Sequence, residues 1–442
     1  MGSINHLLSS NLSLLQKAKA YAAQINPSIN KEPLASQISL ITKSKRALVV
    51  RAYGNQTGFP VLRSLSKDFN WNILFASWNQ ALEYPVRQMG INYIDLKNFN
   101  QRIYRSYIKK HKRSVNKLFT KLSVYEPGEF LSTITGIQCR FNSKSLFFED
   151  FVMARVYTDI YFKLIAEFKP EVIVLFNAVS PPGKTMAKVA RLTNIPSVSV
   201  QHGLFGGEIY NDLATDKILV WGVIPKNFWL DRGCSPDQVE IVGAFGHDKW
   251  MQMKVEEIPG ANKSSRKNVL FTGQFPSINL SAKQHQDTIK AVLNAASQLP
   301  HIDFILKAHP GKDIGIYREL IAAKGGTNVK LIYREPIEPL LRKCDLVITI
   351  FSATGIEAML LRRPVLILNL SSTPPIAPYA SAAYVVNHMK ELTTAISRIL
   401  EDQSFRNTLV ESGNKLTKDY LGPMDGKASW RAAEAITRAA TR

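Results

Sequence analysis

The chain has 442 residues, 45% of them hydrophobic and 21% charged, which is an ordinary globular composition and too long for one compact core. A formal net charge of +21 points to acidic partners: nucleotides, acidic glycans, anionic lipid or nucleic acid. Three widely spaced cysteines, Cys139, Cys234 and Cys344, exclude a disulfide framework and a paired-cysteine zinc site. No apolar run reaches the roughly 18 to 20 residues that a bilayer span needs, and the start lacks the basic stretch and cleavage site of a secretory leader, so a cytoplasmic protein is expected.

Residues 5–24 place Leu8, Leu12, Leu15, Ala18 and Ala22 at helical spacing, which predicts a helical appendage over 1–45. Strands are predicted at 46–54, 71–77 and 91–96, with helices at 58–68 and 79–89 between them. That alternation implies parallel pairing through right-handed crossovers. The segment 97–145 reads as a basic helical insertion. From Lys97 to Lys121 it has nine Lys or Arg and no acid, with Ile103, Tyr104, Tyr107, Ile108, Val115, Leu118 and Phe119 interspersed. The pattern suits peripheral contact with an anionic membrane through residues 97–121, and equally a solvated helix face. A long helix at 146–168, strands at 171–178, 196–203, 217–222 and 239–248, and a helix at 183–193 complete a first domain over 46–248.

A polar stretch with Pro259, Gly260 and Asn262 makes 249–266 the expected linker. The second domain, 267–420, repeats the alternation. Its strands are expected at 267–273, 302–310, 329–333, 345–351 and 364–370, and its helices at 282–298, 314–324, 337–343, 355–361, 389–400 and 406–420. A last helix occupies 421–442. The fold class is therefore α/β, two doubly wound Rossmann-like domains facing across a cleft.

Open parallel sheets bind ligands beyond the carboxyl ends of their strands. Two strands of the second domain run into loops carrying Lys307, His309 and Pro310 in one case and Ser352, Thr354 and Gly355 in the other. Small residues at a helix start leave backbone N–H groups and the helix dipole to hold phosphate, so these loops read as a nucleotide-diphosphate cradle. Thr272, Gly273 and Gln274 should border the same nucleotide. Asn55, Thr57 and Gly58 are expected with Gly203 on the facing side of the cleft, where an acceptor would lie. His202 ends an apolar strand just before Gly203. It suits a general base, an imidazole having a pKa near ~6.5, or alternatively a cap on the glycine loop that binds phosphate or acceptor. Glu357 falls in the first turn of a helix, where an acid is favoured by the dipole. No D-x-D, no clustered metal-ligand spacing and no phosphate loop of the G-x-x-x-x-G-K type is present, so neither metal nor cofactor is expected.

The segments VQHGLFG at 200–206, VGAFGHD at 242–248, KAHP at 307–310, TIFSATGIEAM at 349–359 and DGKAS at 425–429, in this order, resemble the GT-B glycosyltransferases of bacterial capsule and wall polymers. The similarity runs from about residue 170 to the end and is to the CDP-glycerol glycerophosphotransferases and the HP/SS-motif sialyl- and Kdo-type transferases. It implies a metal-independent enzyme that moves a sugar from a nucleotide-activated donor to a hydroxyl of a surface-polysaccharide or lipid-linked acceptor. His202 would then be the base, His309 a contact of the donor phosphate, and Glu357 the acceptor of both ribose hydroxyls. Gln201 stands where the glycerophosphotransferases have an aromatic residue. The alternatives are a CDP-glycerol-type polyol-phosphate transferase, a sugar-nucleotide 2-epimerase, whose fuller carboxylate set is not seen, and a non-catalytic polyanion- or nucleic-acid-binding protein. The expected partners are a nucleotide-sugar donor and a glycan or lipid-linked acceptor, not nucleic acid.

Overall fold

The computed structural model describes residues 45–51, 58–96, 109–113, 144–205, 212–251, 266–276, 280–309, 314–324, 326–370 and 377–441. The expected N-terminal helix, most of the basic insertion, most of the linker, and Asn55, Thr57 and Pro310 lie outside the described residues. Short runs of Val, Ile, Leu and Phe bounded by polar turns form strands buried on both faces, as parallel sheets require. In the first sheet these are β1 (Arg46–Arg51), β2 (Asn72–Ser77), β3 (Asn92–Asp95), β4 (Val172–Leu175), β5 (Ser197–Val200), β6 (Lys217–Val220) and β7 (Val239–Ile241). They pair in the order β3-β2-β1-β4-β5-β6-β7, every neighbour parallel.

The second sheet has β8 (Lys267–Thr272), β9 (Ile302–Lys307), β10 (Val329–Ile332), β11 (Leu346–Thr349), β12 (Val365–Leu368) and β13 (Tyr384–Val386). Its order is β10-β9-β8-β11-β12-β13, again parallel throughout. Both sheets thus have the doubly wound order 3-2-1-4-5-6, the first with one further strand. β13 has no counterpart among the predicted strands, because a three-residue edge strand carries too little periodicity to read.

Helices cover both faces. The first sheet is packed by α1 (Phe59–Lys67), α2 (Glu83–Arg87), α3 (Lys144–Phe168), α4 (Pro181–Leu192) and α5 (Val223–Leu230), and α6 (Asp248–Met251) follows β7. The predicted helix at 79–89 is divided into a 3₁₀ turn, Gln80–Leu82, and α2; Pro85 has no N–H to donate and falls within the first turn of α2, where none is needed. The second sheet carries α7 (Ala282–Gln298), α8 (Gly315–Lys324), α9 (Ile337–Lys343), α10 (Thr354–Leu360) and α11 (Leu392–Glu401). Ser281 and Gln284 close a reciprocal capping box at the start of α7. Alternation sorts each strand between two cores. Ala47 and Val49 of β1 face one cluster while Leu48 and Val50 face another.

The chain then returns to the first domain. α12 (Gln403–Leu421) ends at Gly422, whose φ of 76° suits glycine. A Cβ there would stand 2.1 Å from the Trp221 carbonyl oxygen. α13 (Ala428–Ala440) packs on α1 and behind β4 and β5, and Trp71 Nε1 donates to Thr437 Oγ1 at 2.9 Å. The Asp248 carboxylate accepts from the N–H groups of Ala428 (2.9 Å) and Ser429 (2.8 Å) and from the Ser429 hydroxyl (2.6 Å). This places a negative charge on the positive end of α13. One hydrophobic cluster extends from Val49, Phe75 and Val174 of the first sheet through Trp221, Phe245 and Tyr420 to Leu270 and Val347 of the second.

Candidate active site

Strand order reverses between β1 and β4 in the first sheet and between β8 and β11 in the second, and in doubly wound sheets the ligand crevice lies beyond the carboxyl ends at such a reversal. In the second sheet that crevice is built from residues singled out in the sequence. Thr272 ends β8, and its hydroxyl donates to the Ile348 carbonyl oxygen at 3.4 Å. Gly273 N–H donates to Lys307 O at 2.9 Å, and a Cβ at Gly273 would come 2.0 Å from the Tyr317 hydroxyl, so no side chain fits there. Gln274 Oε1 accepts from Phe351 N–H at 2.9 Å, which ties the loop after β8 to the loop after β11.

The expectation of free N–H groups at the start of α10 is corrected. Ser352 Oγ accepts from Thr354 N–H (3.3 Å) and donates to Thr354 Oγ1 (3.0 Å), while Gly355 N–H donates to Ser352 O (3.0 Å). Serine bonds its own following backbone as such residues do at helix starts. Those N–H groups are therefore occupied, the Ser352 hydroxyl hydrogen is given to Thr354 Oγ1, and the Thr354 hydroxyl is the donor left to meet a ligand. Gly355 lies against Tyr379, whose ring would be 2.4 Å from an added Cβ and whose hydroxyl donates to Ser352 O at 2.5 Å. Lys307 is buried, and its ammonium donates to the carbonyls of Tyr333 (2.6 Å) and Ala308 (3.2 Å). Burial lowers its pKa, with Glu335 opposing. Two of its N–H groups thus hold strand-end carbonyls.

His309 is exposed, its ring edge-on to Phe275 at 4.7 Å. It borders a cavity of about 260 Å³ with Gln274, Phe275, His285 and Tyr317. His285 was not a predicted site residue. It lies on the buried face of α7, its Nε2 is 3.3 Å from the Tyr317 hydroxyl, and burial lowers its pKa against the opposing effect of a Gln274 backbone hydrogen bond. Glu357 is in the first turn of α10, and its Oε1 lies 3.3 Å from Nε2 of His247.

At the reversal in the first sheet the chemistry is different. Arg51, the last residue of β1, is 1% exposed, with its guanidinium carbon 5.4 Å from the Phe176 ring centre. Burial pushes its pKa down to about 10. Burial first, and the charge of Arg51 second, push His202 down to about 4. The imidazole is therefore neutral at physiological pH, open to a proton but a weaker base than the sequence suggests. Gln201, fully buried, holds the loop: its Oε1 accepts from Trp221 N–H (2.9 Å), its Nε2 donates to Gly203 O (2.9 Å), and its own carbonyl accepts from Trp221 Nε1 (3.2 Å). Gly203 faces open space. Gly58 does not: a Cβ there would sit 2.2 Å from the Phe176 ring, so its absence of a side chain serves packing.

Arg51 went unnoticed in the sequence because a terminal arginine on an apolar strand gives no sign of burial. The segments VGAFGHD and DGKAS, which contributed to the resemblance, bind each other. Besides the Asp248 cap, Arg431 pairs with Asp425 at 2.7 and 3.0 Å and donates to Val242 O at 2.9 Å. Arg431 holds the Asp425 carboxyl down at about 2. Among the described residues no three His, Cys, Asp or Glu side chains gather as a metal site, and no helix is long and apolar enough to cross a membrane.

Residues 245–372 match a family model described as capsule polysaccharide biosynthesis protein. No curated protein matches the chain by sequence. Among solved structures, a UDP-GlcNAc 2-epimerase from Neisseria meningitidis bound to UDP-GlcNAc is similar with a TM-score of 0.57 at 14% identity, covering 89% of this chain and 100% of that one. A glycosyltransferase from Rickettsia africae has a TM-score of 0.52 at 13% identity, covering 90% and 99%. MurG of Acinetobacter baumannii gives 0.52 at 13%, covering 89% and 99%. The two doubly wound domains of this chain therefore have the GT-B fold, and the stretch matched by the capsule-biosynthesis model extends from the end of the first domain through most of the second-sheet site.

Proposed function

We propose that the protein is a metal-independent glycosyltransferase that moves a sugar from a nucleotide-activated donor to a hydroxyl of a surface-polysaccharide or lipid-linked acceptor. The observation that carries this reading is the convergence of Thr272, Gln274, Ser352, Thr354 and Glu357 at the strand reversal of the second sheet, inside or beside the segment that matches the capsule family. In this reading the exposed imidazole of His309 and the Thr354 hydroxyl, which Ser352 orients by donating to its oxygen, hold the donor phosphate, and Glu357 accepts from the ribose. Donors aimed at the leaving phosphate stabilise the charge that develops there. The neutral imidazole of His202 takes the proton of the attacking hydroxyl, and the neighbouring Arg51 cation favours an anionic group on substrate or acceptor.

The 2-epimerase similarity supports the fold and makes epimerisation the outcome to test against. UDP-, CMP- and CDP-activated sugars, together with CDP-glycerol, should be offered with and without acceptor glycan in the presence of EDTA. Acceptor-dependent nucleotide release is expected, and a His309→Ala/Ser352→Ala variant should bind labelled nucleotide at least about tenfold more weakly. Undiminished binding by that variant would remove the donor-site assignment, and inversion at C2 of the sugar without transfer would replace the transferase by an epimerase.

A further inference from the structure

One histidine at the junction of the two domains has no part in the chemistry proposed above. His247 closes the 3₁₀ turn Phe245–His247, where the chain leaves the first sheet, and it is 8% exposed. Its Nε2 lies 3.3 Å from Oε1 of Glu357, a residue 110 positions later on the first turn of α10. The imidazole is wedged between two tryptophans, edge-on to Trp221 at 6.0 Å and to Trp250 at 5.4 Å. Its Nδ1 is buried and has no hydrogen-bond partner among the described residues.

The ring arrangement assigns the proton. Nδ1 is unpaired in either tautomer, but a carboxylate can only accept, so a bare Nε2 would set a lone pair against Glu357 Oε1; the neutral ring therefore carries its hydrogen on Nε2, facing the carboxylate. The wedge is itself anchored. Trp221 is held at its N–H and its indole by Gln201, the residue before His202, and its ring also meets Tyr420 edge-on at 6.2 Å. A continuous set of contacts, Gln201 to Trp221 to His247 to Glu357, therefore links the strand end that carries His202 to the carboxylate of the second domain. A lone glutamate on a helix surface would have to be ordered each time a ligand bound, losing rotamer entropy. Here one carboxylate oxygen is already held, and the other is left to meet a ligand.

We propose that His247 is a positioning residue of the donor site: it holds Glu357 Oε1 so that the carboxylate is set to accept from the nucleotide ribose, and it makes ribose recognition depend on the junction between the domains. This rests on the reading of Glu357 as the ribose acceptor. His247 does not touch the nucleotide; it acts through Glu357.

Calorimetric titration of the full chain with UDP, CDP and their 2′-deoxy counterparts tests it, in the wild type and in Glu357→Ala, His247→Phe and His247→Gln. His247→Phe keeps an aromatic ring between the two tryptophans while removing the N–H, and His247→Gln keeps an N–H donor. Thermal melts verify folding of each. The wild type should prefer one ribonucleotide over its 2′-deoxy form by about tenfold, the worth of one hydrogen bond to a charged group. Glu357→Ala should bring that ratio to about one. His247→Phe should lower it severalfold while the affinity for the deoxynucleotide stays at the wild-type value, and His247→Gln should restore it.

A ratio unchanged in His247→Phe but lost in Glu357→Ala overturns the role of His247 alone. A ratio unchanged in Glu357→Ala, or no binding of either ribonucleotide by the wild type, removes the ribose reading and His247 with it. Equal weakening of both nucleotide forms in His247→Phe marks a purely structural residue and also overturns the proposal.

Discussion

The two strand reversals share one topology and differ in how their polar groups are satisfied. Beyond β8 and β11, nearly every group meets another part of the same domain: Gln274 with Phe351, Ser352 with Thr354, Lys307 with Ala308 and Tyr333. Beyond β1 and β5, the ionisable groups among the described residues are Arg51 and His202, both shifted by burial, with the cation depressing the imidazole further. A site for a bound nucleotide gains from rigidity, since prepaid ordering raises affinity. A site that handles a proton gains from neutral groups in a poorly solvated place, where small changes of charge have large effects. The glycines do not follow this division: Gly355 of the second sheet and Gly58 of the first are both close-packed, whereas Gly203 is open.

The largest expected effect comes from a methyl group added to the packed glycines. Gly355→Ala must push on the Tyr379 ring and Gly58→Ala on that of Phe176, so each should lose about 1 to 3 kcal/mol or more in urea denaturation. Gly203→Ala should change stability by less than about 0.5 kcal/mol. Equal stability for all three would show that the packed reversals relax freely and are not rigid. Next in size, Lys307→Met removes a buried donor from two carbonyls and should cost about 2 kcal/mol, read as a lower denaturation midpoint without ligand. An unchanged midpoint would release Lys307 from its carbonyls and return it to the phosphate role.

The smallest effect at neutral pH becomes visible only in acid. The folded pKa of His202, about 4, is below the unfolded value near 6.5, so the unfolded chain binds more protons between these limits. Its contribution is fully present above pH ~6.5 and is lost as pH falls toward 4. Melting temperatures of wild type and His202→Asn should therefore run parallel above pH 7, with the wild type falling more steeply from 6.5 to 4. Parallel curves over that whole interval would mean that the imidazole titrates normally and that Arg51 does not act on it.

Much of the fold was legible in the chain because its signals are local. The run at 302–307 and the small residues after 349 each announce an element within a few positions. His309, Ser352, Thr354 and Glu357 were legible for the same reason, as polar residues immediately following apolar strands. Arg51, His247 and His285 were not. Each owes its character to a partner far along the chain or to burial by another element: Arg51 to Phe176 and His202, His247 to Glu357, His285 to Tyr317. The N–H groups of Thr354 and Gly355 are not free because Ser352 turns its hydroxyl and carbonyl oxygens back on them, a pairing that residue types alone do not reveal.

By itself the sequence determined two parallel α/β units, the order of their elements and the strand ends at which polar residues collect, since hydrophobic periodicity and helix-start chemistry act over a few residues. Tertiary structure alone decided which strands are neighbours, and hence where the two crevices open. It also decided that α13 returns to the first domain under the Asp248 cap, that the DGKAS turn is a clasp, and that His202 is a depressed base beside a buried arginine. Those outcomes depend on burial and on pairings between residues a hundred or more positions apart, energies that appear only when distant segments exclude water together.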